Sequence, residues 1–146
     1  MNHQKECNVR LNRCQVPVYG DQSFRGQCPS ESVEQMTFFN WLVREHPTWR
    51  ALAIHPRNEQ QLRGGQFRAL ARHKAEGMTP GASDIIIPGA PTFVCEMKRC
   101  DHTLSKWQPG QAEYLEAARD VGCFACVALG ANGAKEAFLE WFTHTA

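Results

Sequence analysis

Two short apolar runs separated by a four-residue turn constrain the fold of this chain most strongly. The first run extends from Asp84 to Ile87 and the second from Thr92 to Met97, with Pro88-Gly89-Ala90-Pro91 between them. Runs of this length, rich in β-branched residues and bounded by proline and glycine, predict a β-hairpin. The hairpin should lie in a sheet that the rest of the chain completes.

The segments around the hairpin carry the periodicity of helices and further strands. A polar first segment, residues 1–29, lacks clear periodicity and predicts an irregular Cys-containing arm, followed by one domain over residues 30–146. The predicted elements are a helix from Ser30 to His46, a strand Ala51–Ile54, a basic helix over residues 59–74, the hairpin, a helix Gly110–Val121, a strand Cys123–Leu129, a turn Gly130–Gly133 and a helix Ala134–Phe142. This order favours an α/β fold with a single mixed β-sheet flanked by helices.

The composition bounds the class of protein. A chain of 146 residues is long enough for one domain with a real core. No apolar run approaches the length of a membrane span, and the N-terminus lacks the apolar core of a secretory signal, so we expect a soluble, cytoplasmic protein without a membrane partner. Seven cysteines without a tight metal-binding pair in a loop favour reduced thiols.

The chemistry is concentrated at one end of the hairpin. Because alternate side chains of a strand share a face, Glu96 and Lys98 should project together while Met97 turns into the core. The turn brings Asp84, at the start of the first strand, toward these two residues. Burying two carboxylates together costs several kcal/mol unless a cation compensates, so the pattern predicts a site for Mg²⁺ or Mn²⁺. Such a metal polarises a phosphodiester and activates water.

Two further residues could join this site. Glu34, on the first helix, could add a carboxylate, and the amide of Gln111, early in the helix after the hairpin, could hold the attacking water or a phosphate oxygen. A basic stretch between Arg50 and Lys74 is a candidate phosphate-binding strip or, equally, a solvated helix face. The candidate DNA-binding residues are Arg57, Arg63, Arg68, Arg72, Lys74, Arg99 and Lys106.

Each of these features also has a purely structural interpretation. A Glu and a Lys two apart on a strand often form an exposed ion pair worth under about 1 kcal/mol, and Asp84 alone could serve as a turn residue. The joint placement of the acids, Lys98 and Gln111 around one sheet end favours the chemical interpretation.

The runs GMTPGASDIIIP, FVCEMKR and SKWQPGQAEYLEAARDVG resemble the PD-(D/E)XK nuclease superfamily, and most closely its VRR-NUC branch, whose small stand-alone members are common in bacteriophages. The resemblance spans about residues 30–130 and implies a restriction-endonuclease-like αβββαβ core. It implies that Asp84, Glu96 and the backbone carbonyl of Met97 bind the metal and that Lys98 assists hydrolysis. The helix glutamate and glutamine of the family correspond to Glu34 and Gln111.

The resemblance therefore implies a metal-dependent DNA endonuclease, selective for branched DNA such as a four-way junction and acting as a homodimer. If the chain is encoded by a phage, it would act in the cytoplasm of the bacterial host. The chain departs from the pattern of the family at Ser83, where many relatives have proline, and in the loosely matching segment IHPRNEQQLR. The alternative is a non-catalytic nucleic-acid-binding module, or a nuclease-fold subunit of a larger system, in which the basic strip holds phosphate and the acids support the fold.

Overall fold

The computed structural model describes Leu11, residues 14–56 and residues 67–145. Four strands and five α-helices follow one another in these ranges. They are β1 (Val18–Tyr19), α1 (Glu31–Glu45), α2 (Pro47–Leu52), α3 (Phe67–Ala75), β2 (Ile85–Ile87), β3 (Phe93–Lys98), α4 (Gln111–Asp120), β4 (Phe124–Leu129) and α5 (Gly130–Thr145), with a 3₁₀ helix at His102–Leu104.

The strands form one mixed sheet in the order β1-β4-β3-β2. Strand β3 lies inside the sheet, antiparallel to β2 and parallel to β4, and β4 is also parallel to β1. In the hairpin Ile85 pairs with Cys95 and Ile87 with Phe93, which confirms the predicted β-hairpin. This register places Asp84, one residue before β2, beside the Glu96 end of β3.

Alternating side chains of β3 contribute to two different hydrophobic cores. Phe93, Cys95 and Met97 pack in the larger core with residues of α1 and α5. Val94, on the other face, packs with Ala112 and Leu115 of α4. Glu96 and Lys98 continue the face of Val94, so the predicted inward turn of Met97 is confirmed and the charged end of β3 lies on the α4 side of the sheet.

The helices begin and end where local signals favour it. The side chain of Ser30 caps α1 by accepting a hydrogen bond from the amide of Val33 (3.2 Å). The helix stops before Pro47, which occupies the first turn of α2. Helix α4 follows Gly110, which adopts a left-handed conformation that favours glycine. Because of these signals, the ends of α1 and α4 lie within two residues of the ends that the sequence predicts.

Two predicted elements are wrong. The strand expected at Ala51–Ile54 is mainly the end of α2, and only Ile54 forms a β-bridge, with Ile86. The turn expected at Gly130–Gly133 is the first turn of α5. The predicted basic helix is confirmed over Phe67–Ala75, while its expected first part lies outside the described residues.

Residues 14–29, predicted as part of an irregular arm, contain strand β1 and pack along the sheet. Val18 pairs with Val127 of β4, and the backbone carbonyls of Cys28 and Pro29 accept hydrogen bonds from the guanidinium of Arg99. The described cysteines are all free thiols, as expected. Within the described ranges, the helices are too short or too polar to cross a membrane.

A close contact between two glycines joins the loop before β2 to the start of α4. A Cβ atom on Gly81, whose φ is +81°, would lie 2.3 Å from the carbonyl carbon of Gly110 and 2.8 Å from the amide nitrogen of Gln111. Such distances are far inside van der Waals contact, so this approach requires glycine. It fixes Asp84, three residues after Gly81, relative to Gln111.

We expect Gly81→Ala to destabilise the protein more than Gly122→Ala. Gly122 has a similar positive φ of +98°, but a Cβ atom there would meet nothing within 4 Å. Backbone strain should cost roughly 1–2 kcal/mol in both variants, and the overlap at Gly81 should add about 1–3 kcal/mol. Urea denaturation measures both values, and equal losses would show that the glycine contact does not constrain the loop.

Candidate active site

Asp84 is positioned by the backbone of the neighbouring strand. Its half-buried carboxylate accepts a hydrogen bond from the amide of Met97 through Oδ2 (2.9 Å). The N–H and C=O of one strand residue point to the same side, so the carbonyl of Met97 also faces the side on which Asp84 lies. The hairpin thus brings the carboxylate of Asp84 and the backbone carbonyl of Met97 together at the end of β3, beyond its last pair with β2.

Glu96 is a buried carboxylate with an unsatisfied oxygen. Its side chain is 1% exposed, no donor group reaches its Oε2 atom, and its carboxyl lies within hydrogen-bonding distance of the carboxyl of Asp84. Burial raises the pKa of the Glu96 carboxyl well above its usual range, and the negative charge of Asp84 raises it further, while the ammonium of Lys98 opposes the shift. A buried polar atom without a partner is rare in folded proteins, and here it lies beside a second carboxylate.

Lys98, in contrast, has a complete set of partners. Its Nζ donates to the side-chain Oε1 of Gln111 (2.9 Å) and to the backbone carbonyl of Lys106 (2.8 Å), and lies 3.6 Å from Oε1 of Glu96. The ammonium also lies 4.7 Å from the centre of the Trp107 ring, a cation–π distance. These contacts hold a 3% exposed cation in one position.

The amide of Gln111 is oriented by two donors. Its Oε1 accepts from Nζ of Lys98 and from the backbone amide of Gln108 (2.8 Å). An amide oxygen that accepts twice leaves the NH₂ group as the part that can meet a ligand. The structure therefore brings together four of the predicted residues, Asp84, Glu96, Lys98 and Gln111.

Glu34 is placed elsewhere. Its Oε2 accepts from the amide of Ala131 (2.5 Å), at the N-terminus of α5, and from the thiol of Cys100 (3.5 Å). The reason is the sheet: α1 packs on the face of β3 that carries Met97, whereas Glu96 lies on the opposite face. The hydrogen bonds of Glu34 thus stabilise the start of α5 and do not support the expected place in the acid cluster.

Glu31, which the sequence analysis did not single out, is the acid of α1 whose charge acts on Glu96. It occupies the first turn of α1, its Oε1 accepts from the hydroxyl of Ser105 (2.7 Å), and its charge adds to the raised pKa of Glu96. The residues lining a neighbouring cavity of about 410 Å³ are Ser30, Glu31, Ser32, Lys98, Arg99, Leu104, Ser105, Lys106, Gln108 and Gln111. The signal for Glu31 in the sequence was its position directly after the helix cap.

The basic candidates lie in different surroundings. Arg68, Arg72 and Lys74 are exposed on α3, and Lys106 is exposed beside the 410 Å³ cavity. The guanidinium of Arg99 instead anchors residues 28–29 through two backbone carbonyls. Arg57 and Arg63 lie outside the described residues.

The donor set suits a hard divalent cation. Among the residues described, no group of three His, Cys, Asp or Glu side chains is arranged to hold a metal. A cation beside Asp84 and Glu96 would therefore rely on two carboxylates, a backbone carbonyl and water, which are the oxygen ligands that Mg²⁺ and Mn²⁺ accept. The unpartnered Oε2 of Glu96 is the observation that fits such an ion.

In metal-free protein, we expect Glu96→Gln to change how stability depends on pH. The unfolded carboxyl ionises near pH 4.3 or so, while the folded carboxyl, with its raised pKa, keeps its proton to higher pH. Between these values the folded state binds more protons, so the free energy of unfolding of the wild type falls as pH rises, by up to about 1.4 kcal/mol per pH unit. Glu96→Gln has no ionisable group at this position, so its free energy of unfolding does not fall with pH in this way. Thermal denaturation with a chelator from about pH 5 to 8 measures the difference, and parallel curves for the wild type and Glu96→Gln would contradict the assignment.

The fold is similar to that of a solved structure described as a VRR_NUC domain protein. The TM-score is 0.63 at 22% sequence identity, and the aligned part covers 82% of this chain and 92% of that chain. No protein-family model and no curated protein matches the sequence. The likeness establishes the fold, a single mixed sheet flanked by helices of the restriction-endonuclease-like type, in agreement with the prediction.

Proposed function

We propose that this chain is a divalent-metal-dependent endonuclease that hydrolyses phosphodiester bonds in DNA. The observation that carries the proposal is the buried Glu96 carboxylate: no donor group of the protein reaches its Oε2, the carboxyl of Asp84 lies beside it, and Nζ of Lys98 lies 3.6 Å from its Oε1. A structural ion pair would be stabilised by satisfying both charged groups. Here only the cation is satisfied, and an acid cluster that needs a cation is the arrangement expected of a metal-dependent phosphodiesterase.

Asp84, Glu96 and the carbonyl of Met97 would hold the ion. When bound, Mg²⁺ or Mn²⁺ would supply polarisation of the phosphate and a lowered pKa for water. The protein's own part is to keep the two carboxylates together before the ion arrives, which the hydrogen bond from Met97 to Asp84 and the burial of Glu96 achieve. Preorganised charges of this kind need not reorganise during the reaction.

Lys98 and Gln111 act as a coupled pair. The ammonium of Lys98 lies next to the carboxylate that would hold the ion, so it is placed to offset negative charge that develops on the phosphate. Gln111 fixes that ammonium through Oε1 and leaves its NH₂ to donate to a phosphate oxygen. We therefore favour phosphate binding over water activation for Gln111, one of the two roles that the sequence left open.

Exposed positive charge and the resemblance to the VRR-NUC family both favour DNA as the substrate. Exposed Arg68, Arg72, Lys74 and Lys106 offer cations for backbone phosphates, and Arg57 and Arg63 remain candidates by sequence. The structural neighbour is named for a VRR_NUC domain, and the resemblance to that family favours branched DNA cut by a homodimer. A two-fold dimer presents two equal sites, as paired cuts in a junction require.

We expect metal-loaded wild-type protein to make paired cuts in a four-way junction and Asp84→Ala to lose at least about 100-fold in rate, since it removes a ligand rather than an outer partner. Labelled linear, single-stranded, flap and junction DNA, each with Mg²⁺ or Mn²⁺, measure this, with Glu136→Gln as a control that should cut normally. Equal nicking of all four substrates would indicate a general nuclease. No cutting of any substrate by folded protein would favour the non-catalytic nucleic-acid-binding module.

Metal binding can be tested without DNA. Mn²⁺ at 100 times its Kd should add about 2.7 kcal/mol to the free energy of unfolding, which raises the Tm of wild type and of Glu136→Gln by several degrees. Glu96→Gln should show little of this rise because it removes the buried carboxylate. A rise of the same size in Glu96→Gln would place the ion elsewhere.

A further inference from the structure

Two neighbouring cavities form a groove in the surface beside the candidate active site. The first is the cavity of about 410 Å³ that Lys98 and Gln111 line. The second, of about 760 Å³, is lined by the segment from Gly26 to Cys28 and by Asp101. Arg99 and Leu104 border both cavities, so a chain lying along both would pass Leu104 on its way to Lys98 and Gln111.

Leu104 is an exposed apolar residue held in a buried polar frame. Its side chain is 50% exposed, whereas Asp101, His102 and Ser105 around it are all buried. Single exposed apolar residues are common on protein surfaces. What distinguishes Leu104 is its place between the two cavities, one of which Lys98 and Gln111 line, and the hydrogen bonds that hold the turn that carries it.

Hydrogen bonds on both sides fix that turn. The carboxylate of Asp101 accepts from the amide and hydroxyl of Thr103 (3.0 and 2.6 Å) and from the amide of Gly26 (3.0 Å). The hydroxyl of Ser105 accepts from the amide of Arg99 (2.9 Å) and donates to Glu31 (2.7 Å). The turn is thus hydrogen-bonded to Gly26, to Arg99 directly after β3 and to Glu31 of α1. These bonds hold the backbone of Leu104 in place.

We infer that Leu104 is a wedge that separates neighbouring bases of the DNA strand entering the active site. The inference rests on the proposed function. Apolar side chains that insert between base steps unstack them, and this unstacking costs free energy. That cost is smaller where the strand is already unstacked or bent, as at a branch point. Leu104 would therefore be a specificity-determining residue that favours branched over continuous duplex DNA.

The test measures base stacking in the absence of cleavage. Junction DNA carrying the fluorescent base 2-aminopurine at successive positions around the branch is titrated with protein in the presence of a chelator. We expect wild-type protein to raise the emission at one step and Leu104→Ala to lose that rise, while Leu104→Phe, which keeps a large apolar side chain, retains it. Leu139→Ala is the matched control, because Leu139 is similarly exposed (44%) but lies on α5 and lines neither cavity.

The outcomes separate this inference from the proposed function. An emission rise that survives in Leu104→Ala, or no rise with wild type bound to the junction, would overturn the wedge. Cleavage is scored separately on the same DNA with Mn²⁺, where the ratio of junction to linear cutting should fall in Leu104→Ala and stay unchanged in Leu139→Ala. A wild type that opens the step without cutting would contradict the endonuclease proposal and leave the wedge supported.

Discussion

Glu96 and Lys98 form an ion pair inside the protein, and the end of the central strand is organised around their two charges. Taking each charge out of water costs several kcal/mol, which hydrogen bonds and the partner charge must offset. Lys98 receives this compensation from Gln111, from the carbonyl of Lys106 and from the ring of Trp107. Glu96 does not receive such compensation, because no donor group reaches its Oε2 atom and the like charge of Asp84 lies beside it. The imbalance is unfavourable for the fold alone and is the feature that a bound cation would correct.

The rest of the fold tolerates this cost because the other face of β3 supplies a separate core. There Phe93 packs with Phe138 and Trp141, and the indole of Trp141 donates to the carbonyl of Pro91 in the hairpin turn (2.7 Å). Aromatic side chains bury large apolar areas, so this core contributes much of the hydrophobic stabilisation. One strand therefore serves two purposes, with apolar packing along one face and, beyond Val94, a buried polar cluster at the end of the other.

The sequence predicts features that depend on local periodicity and misses those that depend on distant contacts. The hairpin, and with it the joint position of Asp84, Glu96 and Lys98, follows from two-residue alternation around a turn. The strand expected at Ala51–Ile54 was wrong because a short apolar run does not distinguish a strand from a helix, and here Pro47 starts a helix. Helix α5 begins earlier than expected because the carboxylate of Glu34, far away in sequence, caps its first turn. For the same reason, periodicity alone did not show that Glu34 binds the start of α5 while Glu31 binds Ser105 in the loop after β3.

Under the proposed function, the loop after β3 would link the reaction to the shape of the substrate. Lys98 ends the strand, and the residues that follow both return to hold its ammonium, through the carbonyl of Lys106, and present Leu104 to the groove. Glu31 binds the same loop through Ser105, so the first turn of α1 buttresses it from the other side. Under the proposed function, a strand bent enough to pass Leu104 would reach Lys98, whose ammonium the same loop holds. Selectivity for branched DNA and the chemistry at Asp84 and Glu96 would then both depend on one short segment that hydrogen bonds hold in place.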